Sequence, residues 1–307
     1  MYKSWAVDGA KSLLCAVAVA MTQMAWGLSL ESETAPGTRV WIGDHSLHLH
    51  CQGSGSPVVV FESGLGGTAL DWSRVQPDVA KFTKACSYDR AGYGFSGPGP
   101  RPRNSVRIVR ELNKLLGYGG AAPPYVLVGH SFGGLSVSLY ARSFPNKTAG
   151  MVLVDAAHEE QFRRFERANV GPLLPRSSRF IIGNHLQVSK HLPDHLQILA
   201  RHLAAQPAAV ASLYSELRHF RTSAAQVRAA HPMPHVPLVV ITHRIDENAD
   251  PTALDREWLG LQKDLAALSS RGRLVMAQTD EHYIQLRTPE VVVEAIRAVI
   301  EETRASE

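Results

Sequence analysis

Tyr125-Val126-Leu127-Val128-Gly129-His130-Ser131-Phe132-Gly133-Gly134 is the stretch on which the reading of this chain turns. Tyr125–Gly129 is a short apolar strand, and Phe132–Phe144 is a largely apolar helical run. A turn tight enough to join them needs small residues two before and two after its central serine, and Gly129 and Gly133 stand there. Gly134 keeps the helix close to the strand. Such a turn holds Ser131 in a strained backbone and lifts its hydroxyl above the strand end. An ordinary glycine-rich packing turn is the alternative, but the strand–turn–helix context makes Ser131 the candidate nucleophile.

A serine hydroxyl needs a general base. Thr279-Asp280-Glu281-His282-Tyr283-Ile284 lies after the last strand and before the terminal helix, so His282 is the candidate. The chemistry also needs N–H donors for an oxyanion. The Phe132 N–H sits at a helix start, where the dipole helps. Glu62-Ser63-Gly64-Leu65-Gly66-Gly67 follows an earlier strand, and its glycines permit close backbone approach, so the Leu65 N–H is the second expected donor.

Around these residues, apolar β-rich runs alternate with amphipathic helical ones, which predicts a mostly parallel sheet covered by helices. The expected strands are Arg39–Ile42 and Leu47–Gln52 (a hairpin turning at Gly43-Asp44), Pro57–Glu62, Lys84–Asp89, Tyr125–Gly129, Gly150–Val154, Pro237–Thr242 and Arg273–Ala277. Helices are expected around Trp72–Phe82, from an Asn104 cap to about Leu116, over Leu254–Leu268, and from Pro289 onward behind a Thr288 cap. Val292, Ile296, Val299 and Ile300 mark the buried stripe of the last one. Between His158 and His235 strand signals vanish and Arg and His become common, which predicts a helical cap over 158–235 inserted into a core of 38–157 and 236–307.

The 307 residues suffice for one such domain. A net charge of +4 without a dense Arg/Lys run excludes nucleic acid as an expected partner. Lys3 and Lys11 precede an apolar run from Leu13 to Trp26, and Ala25 and Gly27 are small residues at cleavage spacing, so residues 1–27 read as a secretory signal peptide. A retained anchor is the alternative, against which the short apolar run counts. The expected location is periplasmic or secreted, with no stable membrane anchor after cleavage. Beyond residue 27 only Cys51 and Cys86 remain, and an oxidising compartment allows them to bridge. No carboxylate or cysteine cluster accompanies His45, His48 and His50, which read as packing, with no metal expected. Trp258 and Leu261 read as core.

Taken in order, the Glu62–Gly67 loop, Ser87-Tyr88-Asp89-Arg90-Ala91-Gly92-Tyr93-Gly94-Phe95-Ser96, the Gly129–Gly134 turn and Glu281-His282 make the chain resemble the α/β-hydrolase superfamily, of the cap-bearing haloperoxidase, proline-iminopeptidase and lipase-like type. The resemblance covers the chain from about Trp41 to its end. It implies an eight-stranded, mostly parallel, doubly wound sheet of order 1-2-4-3-5-6-7-8, cofactor-free hydrolysis, and a bracing role for Asp89-Arg90. Ser63 stands where many relatives carry a histidine, which leaves backbone donors intact. In the implied order the second strand lies beside the fourth, so Cys51 and Cys86 are expected to be bridged.

The resemblance leaves two candidates for the acid that orients His282. Asp246 follows the seventh strand about nine residues after Pro237, where relatives usually place it, although His243 stands where they usually have glycine. Asp155 ends the sixth strand, a site some relatives use. Asp246 is the first expectation and Asp155 the alternative. The implied activity is cleavage of an ester or related acyl bond in a small-molecule substrate. Peptidase, lactonase, acyltransferase and C–C hydrolase chemistry, and a catalytically silent binding protein, are the alternatives. A serine at 131, where haloalkane dehalogenases and epoxide hydrolases carry a carboxylate, counts against those reactions.

Overall fold

In the computed structural model the described residues are 36–170, 181–182, 185–186, 188–245 and 250–305. The expected leader, 1–27, lies outside them. The strands are β1 (Thr38–Trp41), β2 (Ser46–Gln52), β3 (Val58–Glu62), β4 (Ala85–Tyr88), β5 (Tyr125–His130), β6 (Thr148–Val154), β7 (Leu238–Thr242) and β8 (Gly272–Met276). They form one sheet in the order β1-β2-β4-β3-β5-β6-β7-β8. The β2–β4 pair is antiparallel, and from β4 through β8 the neighbours run parallel. Order and direction are those expected of the α/β-hydrolase fold.

The central strands are buried on both faces, as their near-continuous apolar sequences require. Alternate residues feed opposite layers. Val58, Val60, Leu127, Leu153 and Val240 enter one cluster with helices α1 (Ser105–Tyr118) and α2 (Gly133–Ser143). Val59, Phe61, Val128, Val152 and Ile241 enter the other. There they meet Val292, Ile296, Val299 and Ile300 of the terminal helix, α8 (Pro289–Arg304), the stripe its periodicity predicts.

The segment between β6 and β7 carries α3 (Gln161–Arg167), α4 (Asp194–Ala204), α5 (Pro207–Arg218) and α6 (Phe220–Arg228), and α7 (Ala253–Ala267) joins β7 to β8. A two-residue hairpin, Ile181–Ile182 with His185–Leu186, lies in the stretch where strand signals were absent; pairs this short leave no periodic trace.

Other boundaries fall where chain chemistry puts them. Asn104 caps α1 by accepting from the Arg107 N–H at 3.1 Å. Thr288 occupies the N-cap position of α8 ahead of Pro289, but its side chain makes no capping bond. The helix expected around Trp72–Phe82 is instead a 3-10 turn, Ala69–Trp72, and a short helix, Gln76–Val79. Pro77 has no N–H to continue a helix from behind, so it starts a new one.

Cys51 and Cys86 face each other across β2 and β4 and are bridged, with Cα atoms 4.0 Å apart. The Asp89 N–H donates to the His48 carbonyl. Counting from that pair, positions 51 and 86 form a non-hydrogen-bonded pair, where opposed Cα atoms come closest. Such a pair, at about 4.5 Å, sits at the short end of the usual range of about 4.4–6.8 Å, and this one is closer still.

Candidate active site

The parallel strands end on one edge of the sheet, and just past the ends of β3, β5, β6 and β7 stand Ser63, Ser131, Asp155 and His243. Register aligns Glu62 with Gly129, and His130 with Val154. Open parallel sheets bind ligands at this carboxyl edge.

Ser131 has φ +51°, a left-handed conformation that costs a non-glycine residue on the order of 1–2 kcal/mol. It persists because the elbow is tied on all sides. The Ser131 N–H donates to the Val154 carbonyl at 3.1 Å, and the Ser131 carbonyl accepts from Gly134 and Ala157 N–H, each at 2.9 Å. A methyl group on Gly129 would lie 2.5 Å from Val137 Cγ2, and one on Gly133 2.6 Å from the Glu62 carbonyl oxygen. The two glycines are thus steric requirements, as the sequence implied.

Asp155, past the end of β6, is the second strained residue here, at φ +43°. It is fully buried. Its Oδ2 accepts from His282 Nδ1 at 2.5 Å. Its Oδ1 accepts from Trp258 Nε1 at 2.9 Å and Thr242 Oγ1 at 3.2 Å. His243 Nδ1 lies 2.9 Å from both oxygens, and the His243 N–H reaches Oδ1 at 3.3 Å. Burial opposes the charge of Asp155, but the His243 charge and the bonds from His243 and His282 outweigh it and hold the carboxyl well below its usual range. A carboxylate on Nδ1 fixes the His282 tautomer and leaves Nε2 as the basic nitrogen. His130 Nε2–H donates to the His282 carbonyl at 3.1 Å. Burial, helped by His282, lowers the His130 ring to about 3, so that ring is neutral.

The Glu62–Gly67 loop lies against the elbow. A Cβ at Gly64 would stand 2.8 Å from His130 Nδ1 and 3.2 Å from Ser131 Cβ, so the loop backbone comes as near as glycine allows. Arg90 sets its direction. Nη1 donates to the Ser63 carbonyl and Nη2 to the Gly64 carbonyl, both at 2.7 Å. In a trans peptide the next N–H points opposite the carbonyl. Drawing the Gly64 oxygen toward Arg90 therefore turns the Leu65 N–H away from it.

Arg90 is itself clamped by two carboxylates. Nη1 meets Glu62 at 2.7 Å, while Nε and Nη2 make a fork to Glu216 of α5 at 2.8 and 3.1 Å. Tyr88 OH donates to Glu62, and Tyr93 OH donates to Glu216 at 2.9 Å. Burial raises the Glu62 carboxyl above its ordinary value. It opposes the Arg90 charge as well, yet Glu216 and Glu62 hold the guanidinium firmly protonated.

Of the residues singled out from sequence, the structure brings together Asp155 and His282, and sets the Gly64 backbone beside Ser131. Phe132 precedes α2 at its N-terminal cap. Asp246, the first expectation for the acid, lies outside the described residues; the carboxylate bonded to His282 is that of Asp155. Sequence reasoning missed two residues of the site. His243 was noticed only as a departure from glycine, and Glu216 was one acidic residue among many on a helix. Trp258 is buried as expected, but its N–H also serves Asp155.

A model of the alpha/beta hydrolase family matches residues 59–295. The uncharacterized protein YqjL of Bacillus subtilis (strain 168) is 26% identical over 257 residues, covering 80% of this chain and 85% of that protein. The 2-hydroxy-6-oxo-2,4-heptadienoate hydrolase of Pseudomonas putida is 34% identical over 125 residues, 39% of this chain and 44% of that protein. Some other curated relatives are likewise matched over less than half of their own length. Among solved structures, the enol-lactonase from Burkholderia xenovorans LB400 superposes with a TM-score of 0.62 at 17% identity, over 86% of this chain and 100% of that one.

Proposed function

We propose, from the premise that this chain belongs to the alpha/beta hydrolase family, that it is a serine hydrolase cleaving an ester or related acyl bond through an acyl-enzyme. The observation that carries the reading is a left-handed Ser131 at the strand–helix elbow together with a buried Asp155–His282 pair past the neighbouring strand ends. In this mechanism His282 Nε2 takes the Ser131 proton as Oγ attacks the acyl carbon. Asp155 stabilises the resulting imidazolium, and the Phe132 and Leu65 N–H groups hold the oxyanion. His282 then protonates the leaving group, and water repeats the cycle on the acyl-enzyme. Asp155 takes the acid's role because its carboxylate is the one on Nδ1. Chain order Ser131, Asp155, His282 is that of the fold.

The helices between β6 and β7 act as a cap that shapes the acyl pocket. Residues 1–27 direct the chain to an oxidising compartment, periplasmic or extracellular, a reading supported by the Cys51–Cys86 bridge. Carbon–carbon hydrolysis on the same triad is the second reading, favoured by the partial similarity to the Pseudomonas putida hydrolase.

The test is labelling by a fluorophosphonate combined with a panel of p-nitrophenyl esters of graded acyl length. Wild type is expected to label at Ser131 and to turn over at least one ester, and Ser131→Ala to do neither. Equal labelling of the two proteins, or none of the wild type, refutes the serine mechanism. Labelling without turnover of any ester moves the assignment to the second reading.

A further inference from the structure

We propose that His243 is a positioning residue for the hydrolysis reading above: a second imidazole on the triad acid, whose positive charge offsets part of the Asp155 field and so keeps His282 free to act as base in acid. The geometry points to this directly. One buried carboxylate receives two imidazole N–H groups, His282 on Oδ2 at 2.5 Å and His243 astride both oxygens at 2.9 Å. A carboxylate facing only His282 would place its whole charge on that ring and hold a proton there. A charged ring at 243 divides it.

The surroundings of His243 favour the charged ring. Asp155 at the end of β6 bonds it, and Asp255 of α7 and Asp280 of the loop after β8 add negative field. Burial alone would lower its pKa, but these carboxylates, Asp155 foremost, raise it above the ordinary imidazole value. Trp258 of α7 stacks on it with ring centroids 6.3 Å apart, and gives its own N–H to Asp155. His282 is the other titratable ring on that carboxylate. The neighbouring Arg244 side chain is exposed, and its backbone N–H is held by the Thr279 carbonyl at 2.6 Å.

The probe is a fluorophosphonate, whose reaction with Ser131 needs a basic His282 but no knowledge of the substrate. Labelling rates are measured from pH 4.5 to 9 for wild type, His243→Gln, His243→Lys and Ser131→Ala. His243→Gln keeps a hydrogen-bond donor and removes the charge. Its acidic limb is expected to move to higher pH by about one unit or more, the usual effect of one adjacent charge. At the pH where wild type labels at half its maximum, that shift makes the variant about fivefold slower. His243→Lys, which restores a positive charge, is expected to move the limb back toward wild type. An unmoved limb in His243→Gln, or one displaced to lower pH, overturns the proposal. A merely structural role lowers the rate at every pH and leaves the limb in place. If His243→Gln gives no cooperative melt, imidazole ¹⁵N spectra of the wild type decide: a His243 ring, identified by its contacts to Trp258, that is neutral at pH 7 overturns the proposal. Absence of Ser131-dependent labelling in the wild type is a separate outcome, which refutes the serine mechanism itself.

Discussion

Replacing Arg90 by Met tests the buried clamp behind the Glu62–Gly67 loop. The guanidinium and the two carboxylates around it, Glu62 and Glu216, are each exposed by 2% or less. Removing one partner of a buried ion pair costs about 3–5 kcal/mol, because the charge left behind has lost both water and counter-ion. Here two carboxylates are stranded and the Ser63 and Gly64 carbonyls lose their donors, so the upper end, about 5 kcal/mol, is expected. For a chain of 307 residues that lowers Tm by about 8 °C. The loss has a definite pH sign. Burial already raises the folded-state pKa of Glu62 above its unfolded value of about 4.3, and losing the Arg90 charge raises it further. Its protonated form is therefore tolerated below about pH 4.3, and stability falls as pH rises, by up to about 1.4 kcal/mol per unit. Denaturant melts of wild type and variant from pH 4.5 to 7.5 should diverge steadily. Replacing Glu216 by Leu in the same chain removes one stranded charge and should recover part of the loss. A deficit under about 1 kcal/mol at pH 7.5, or one independent of pH, refutes the clamp as drawn. The loop should suffer as well: with the Leu65 N–H no longer aimed, kcat is expected to fall by up to about 10²–10³, the value of one oxyanion donor.

Asp155→Asn should lower kcat by about 10⁴ while Asp246→Asn changes it little, measured on any ester the wild type turns over; the reverse ranking would return the acid's role to Asp246. Gly64→Ala should displace the loop by a few tenths of an ångström against His130 and Ser131 and slow acylation tenfold or more while Tm moves little; an unchanged acylation rate would mean that the loop has slack. Cys51→Ala with Cys86→Ala should cost about 2–4 kcal/mol in a denaturant melt, and no difference from the oxidised wild type would show the bridge to be energetically idle.

The strands and the position of the elbow were legible because they rest on local rules: continuous apolar strands, glycines at two fixed offsets from Ser131, and a histidine after the last strand; the sheet order came only with the family resemblance. The contacts that were illegible join elements far apart in the chain. Glu216 and Arg90 are separated by 126 positions, and nothing near either one announces the other. The acid was ambiguous for a related reason. Two strand ends each offered an aspartate, and periodicity does not tell which strand end faces His282. His243 stood out as a departure, but its partner followed only from β7 lying beside β6. The break in the helix expected over Trp72–Phe82 is local by contrast, because Pro77 cannot continue a helix begun before it.

The bridge between β2 and β4 also constrains how the sheet comes apart. Strands on an open edge normally fray first, and their amides exchange with solvent at small local cost. With Cys51 tied to Cys86, β2 cannot peel away without dragging β4, and β4 is hydrogen-bonded into the centre of the sheet through β3. The ring closed by the bridge contains β3 and the whole Glu62–Gly67 loop. In the oxidised protein the amides of β2 should therefore exchange as slowly as those of β3, leaving only β1 free to open alone on that side of the sheet; on reduction, β2 should join β1 among the fast exchangers.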